Sequence, residues 1–148
     1  MSSQFSSQFS WQFWAIMSAV FAALTAIFAK VGVANVNSDF ATFIRTIVIL
    51  GCLAAFLFAT DQFQSPGTIS TRTYMFLVLS GLATGASWVC YFRALKVGDA
   101  AKVAPIDKLS VVLVAIFAAV FLGERPSPAS WFGISLIAAG AVLIASGL

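Results

Sequence analysis

Residues 102–125 read KVAPIDKLSVVLVAIFAAVFLGER. Pro105 opens the stretch, the adjacent acid–base pair Asp107 and Lys108 follows, and an apolar run from Leu109 to Leu122 ends on Gly123, Glu124 and Arg125. A segment this apolar belongs in lipid, where an ionisable side chain is costly and faces protein or a water-filled cavity. Asp107 and Lys108 are therefore the first candidates for chemistry. Pro105 supplies no N–H, so it frees the carbonyl of Ala101 and bends the helix just before the pair.

The rest of the chain has the same character. Hydrophobic residues make up 61% and charged residues 9%, against about a quarter charged in a soluble domain. The class is an integral, all-α membrane protein. At about 20 residues per span, 148 residues hold five transmembrane helices with short loops and no soluble domain. The spans read 11–34, 40–59, 73–95, 100–122 and 129–148, in one domain covering 1–148. A net charge of +3 would point to nucleic acid in a soluble chain. Here the bases lie in or beside apolar segments, so no nucleic acid is expected and the lipid bilayer is the first partner. The chain has no histidine, and Cys52 and Cys90 fall mid-segment in different spans. Metal clusters and a disulfide framework are excluded, no cofactor is implied, and both thiols read as small buried residues. No nucleophile stands beside a base, so no enzyme is expected.

Residues 1–10 are polar and uncharged, without the basic n-region of a secretory signal, so the first span reads as retained. Trp11 and Trp14 open that span as headgroup-level anchors. Gly81 and Gly85 make a GxxxG spacing that permits close helix approach. Gly98 reads as a helix C′ residue and Asp99 as the next N-cap. Gly133, Gly140 and Gly147 repeat every seven residues, a seam along which a partner helix can pack tightly.

Five spans place the termini on opposite faces, A at the N-terminus and B opposite. Lys30, Arg45 and Arg93 then lie toward the B ends of the first three spans, and Asp107 and Lys108 enter the fourth from B. Face A carries Asp61, Arg72, Glu124 and Arg125, all in loops. The asymmetry describes a hydrated chamber opening to B, with four bases against one acid. For Lys30 and Arg93 the competing reading is snorkelling to the interface; for Arg45, lying deeper, both readings stand. Asp107 and Lys108 are either a site or a structural ion pair that fixes packing. As an ion pair they join each other or Arg45; neighbouring helix positions point about 100° apart, so the two are not expected to share one partner. Trp88 and Tyr91 are candidates for a substrate path, against interface anchoring. The bias of basic residues to B favours an N-out, C-in orientation.

Ala94, Leu95, Lys96, Val97, Gly98, Asp99 and Ala100, then Val103, Ala104 and Pro105, resemble part of a known pattern. Leu122, Gly123, Glu124 and Arg125, then Gly133, Leu136, Ile137 and Gly140, continue it. Together they are similar to the second half of an EamA-type repeat of the drug/metabolite transporter superfamily. Typical members carry two inverted repeats in a ten-span chain, and this chain has one. The resemblance therefore implies completion by dimerisation, either a homodimer, antiparallel in the family's manner, or a heterodimer with a homologous chain. The last span, with Gly133, Gly140 and Gly147, forms part of the contact. Glu124 braces its turn. Related small multidrug resistance proteins exchange protons for cationic drugs through an acid in span one; that span has none here, so the mechanism does not carry over.

The leading expectation is a secondary transporter or exporter of small metabolites in the inner membrane, working by alternating access as a dimer. The excess of bases favours anionic or zwitterionic solutes, and Asp107 is the candidate for proton coupling. The alternatives are a subunit of a lipid-linked-sugar flippase and a structural or regulatory membrane subunit.

Overall fold

A computed structural model describes residues 11–147. Residues 1–10, and Leu148 at the expected end of the fifth span, lie outside the described residues. Five helices are long and apolar enough to cross a membrane. They comprise α1 (Trp11–Gly32), α2 (Ser38–Ala59), α3 (Thr71–Val97), a fourth span Ala100–Leu122 and a fifth helix, Pro128–Ser146. The fourth span is not one helix. It divides into α4 (Ala100–Asp107), α5 (Ser110–Phe117) and a π-helical turn (Ala118–Leu122), so the fifth span is α6.

Helix starts are set by caps that the hydropathy pattern does not register. The Asn37 side chain accepts from the N–H groups of Asp39 and Phe40 at 2.9 and 3.1 Å, so α2 begins at Ser38 rather than residue 40. This moves Asp39 out of the turn and into the first helical turn, where a carboxylate suits the positive end of the helix. The fourth span is therefore not the only one with an acid. Ser70 caps α3 by accepting from Thr73 N–H at 3.1 Å, which draws Arg72 out of the loop and into that helix. Ser127 does the same for α6, with Pro128 in the first turn where its missing N–H costs nothing.

Several local expectations change. Gly98 ends α3 in extended rather than left-handed backbone. Its requirement is space: a Cβ there would meet Val103 Cγ2 at 3.0 Å and the Ala94 carbonyl at 3.2 Å. Asp99 occupies the N-cap position of α4, but its side chain makes no capping bond. Left-handed glycines stand elsewhere, at Gly123 after the π turn and at Gly147 after α6. Gly147 is thus the cap that ends α6, one residue past the helix, and leaves Gly133 and Gly140 as the helical part of the glycine seam. The Glu124 backbone N–H, donating to Ala118 C=O at 3.1 Å, closes the Gly123 turn. Cys52 and Cys90, expected buried, are exposed in the protomer.

The helices touch mainly at their B ends. Val33, Leu95 and Phe92 are almost fully buried there with Ala29, and Ala41, Ala100 and Val103 pack around them. Toward A the same helices are bare: every residue of α3 from 71 to 87 is exposed, and a Cβ on Gly81 or Gly85 would meet nothing. Lipid is as apolar as these side chains, so apolar burial alone adds little to holding helices together. Polar ties do part of that work at face B. The Lys30 ammonium donates to the carbonyls of Leu95 and Gly98 at 2.7 and 2.8 Å. Arg93 pairs with Asp39, and Lys96 donates to the Val36 carbonyl. All three fasten α3 to α1, α2 or the turn between them.

Candidate functional site

The fourth span breaks at its charged pair. Residue 105 cannot donate, and the backbone tightens after it: Lys108 N–H lies between the Ala104 and Pro105 carbonyls, at 3.3 and 3.1 Å. Leu109, Val111 and Val112 then donate three residues back, at 3.0 Å each. Such bonds wind more tightly than an α-helix, so α4 and α5 meet at a joint occupied by Lys108 and Leu109. On the joint, Lys108 Nζ stands 3.4 Å from Asp107 Oδ2. Of the pairings open in the sequence, the structure has the two neighbours paired with each other: two flexible side chains at a break in the helix close together. The pair remains about half exposed, at 54% for Lys108 and 36% for Asp107.

Beside the joint lies a cavity of about 710 Å³ between α1, α3, α4 and α6. Small residues of α1 form one wall, including Ala15, Ala19, Ala22 and Ala26. Their three- and four-residue spacing was open to reading in the sequence, as was the absence of bulk on that face. Tyr91, Pro105, Lys108 and Gly140 line the other sides. Gly140 therefore borders this protomer's own cavity, and neither it nor Gly133 has an atom within reach of an added Cβ.

A second cavity, of about 380 Å³, lies between α1, α2 and α3. Arg45 enters it, and apart from Thr25 the lining is apolar. The Arg45 Cζ sits 4.0 Å from the centre of the Trp88 ring and 5.4 Å from that of Phe92, a cation–π arrangement on two faces. The wall between the two cavities is α3. Phe92 faces the smaller one and Tyr91 the larger.

The candidate residues thus divide by place. Lys108, Tyr91 and Pro105 border the larger cavity, with Asp107 next to the joint; Arg45 lines the smaller, and Trp88 stands against Arg45 without lining either. Lys30 and Arg93 line neither, being turned into the B-end ties. Sequence reasoning missed Asp39 as the partner of Arg93, because 54 residues separate them.

Comparison with known proteins gives the family of the chain. Residues 9–146 match the EamA-like transporter family. The chain is 66% identical over 136 residues to an "Uncharacterized transporter in cobO 3'region" from Sinorhizobium sp., covering 92% of this chain and 96% of that one. No solved structure matches. With a five-span fold and a family match over nearly its whole length, the chain belongs to the EamA-like transporter family, as a multi-pass membrane protein of a single repeat.

Proposed function

We propose that this protein is a secondary transporter of small solutes with an anionic or zwitterionic head, acting in the inner membrane by alternating access between two copies. The observation that carries the reading is the joint of the fourth span. A helix broken at an acid–base pair, beside a cavity of about 710 Å³, is how transporters present polar groups and free backbone within the membrane. A purely structural pair would favour an unbroken helix and a filled space around it.

Dimerisation follows from what one copy lacks. The A halves of α1, α2 and α3 are largely uncovered, and Gly81, Gly85, Gly133 and Gly140 leave room for close approach. A second, inverted copy supplies the other half of the transport path, and a homodimer is the simplest form. Asp107 carries the coupling proton, because it lies at the joint and its protonation would release Lys108.

The test is solute exchange in proteoliposomes under an imposed pH gradient. Asp107→Asn is expected to retain solute counterflow while losing acceleration by the gradient. Undiminished pH-driven uptake in Asp107→Asn would remove Asp107 from the coupling step.

A further inference from the structure

We infer that the anionic group is received by Arg45, on the opposite side of α3 from Lys108, and that the smaller cavity is an anion-binding site. Six basic residues lie within the B halves of the spans; Lys102 is exposed in the first turn of α4, and four of the other five are already compensated. Arg93 is paired with Asp39, Lys108 with Asp107, Lys30 with two carbonyls and Lys96 with the Val36 carbonyl. Among the described residues Arg45 meets no carboxylate and donates no hydrogen bond, although it is half-buried. A guanidinium in such a place invites a counter-ion.

Its guanidinium is engaged by the rings of α3. Arg45 lies seven residues past Ser38, about 10 Å from the helix start at a rise of about 1.5 Å per residue. Its guanidinium lies nearest Trp88, nine residues back from Val97 and so about 13 Å from the B end of α3. Neither Trp88 nor Phe92 takes a hydrogen bond from the guanidinium, so its N–H donors remain for a bidentate bond to a carboxylate or phosphate.

The cavity limits the occupant further. About 380 Å³ lined by Phe28, Ala29, Val36 and Ile44 suits a compact apolar body with one anionic head. A lipid phosphate would stay at headgroup level, above Arg45, so the occupant is a small soluble amphipathic anion. This deepens the transport reading by naming the group that distinguishes the solute.

Benzoate serves as the probe and benzamide as its neutral isostere, with the protein reconstituted in phosphatidylcholine nanodiscs. Trp11→Phe, Trp14→Phe and Trp131→Phe leave Trp88 as the emitting residue. Saturable benzoate binding that shifts Trp88 emission, without response to benzamide, is expected. Arg45→Gln should weaken it at least tenfold and Arg45→Lys less, since lysine keeps the charge and loses the fork. Lys108→Gln should stay within twofold. No saturable benzoate response in the parent protein overturns the site, and so does loss with Lys108→Gln but not Arg45→Gln. An emission shift on adding phosphatidylglycerol, with none for benzoate, also overturns it by making lipid the occupant. Flux without a benzoate response removes this site and leaves the transport reading; a benzoate response without flux does the reverse.

Discussion

Arg93 and Asp39 form a two-bond ion pair, Nε to Oδ1 at 2.9 Å and Nη2 to Oδ2 at 2.7 Å, joining the B end of α3 to the first turn of α2. A planar fork on a carboxylate fixes angle as well as distance. The pair is open to the outside, so its effect is mainly to set register where α2 and α3 meet. Arg93→Ala and Asp39→Ala should each lower the thermal midpoint in detergent. Arg93→Lys should recover only part of the loss. The exchange of both residues, Asp39→Arg with Arg93→Asp, should recover more than either exchange alone. Additive losses in that double variant would show that the two act independently.

Lys30 has a different task. Its ammonium satisfies the Leu95 and Gly98 carbonyls, which lie beside the turn into α4. Lys30→Met keeps the stem and removes the donor, leaving two carbonyls unpaired at a cost of about 2–3 kcal/mol. Reversible unfolding in mixed micelles measures it. A cost below about 0.5 kcal/mol would mean that water replaces the ammonium.

Gly98→Ala adds a methyl 3.0 Å from Val103 Cγ2 and 3.2 Å from a carbonyl. The backbone tolerates alanine, so the loss is steric, about 1–3 kcal/mol. Val103→Ala removes one of the two obstacles and should return part of the stability. A double-mutant cycle reads the coupling; strict additivity would place the clash elsewhere.

Pro105→Ala restores a donor for the Ala101 carbonyl and favours one continuous fourth helix. The protein should become more stable, by about 0.5–1.5 kcal/mol for the regained bond. Solute flux should fall, because the joint carrying Asp107 and Lys108 straightens. Faster transport together with higher stability would show that the bend serves packing alone.

Much of this molecule is written locally. Pro105 announces the bend, and the apolar runs locate all five spans to within two residues. The boundaries that moved did so through caps: Asn37, Ser70 and Ser127 act by hydrogen bonds that hydropathy does not contain. The small-residue face of α1 was legible too, as alanines at helical spacing, although nothing in one helix says which neighbour a stripe will meet. The site was legible only as a list. Asp107, Lys108, Tyr91, Trp88 and Arg45 stood out as charges and rings in apolar segments, without any indication that α3 would divide them between two cavities.

The sequence by itself determined the membrane class, the number of spans and the break in the fourth, because each depends on residues adjacent in the chain. Bilayer thickness reads a run of apolar residues, and proline acts on its own turn. What each charge does was decided only by the tertiary structure. Lys30 reaches carbonyls 65 and 68 residues away, Arg93 a carboxylate 54 residues away, and Arg45 two rings on another helix. A long cationic side chain can snorkel, cap, pair or stack with similar ease, so its partner is chosen by which helix ends pack together. That choice separates the bases tied to another helix or turn, Lys30, Arg93 and Lys96, from Arg45, which meets only rings.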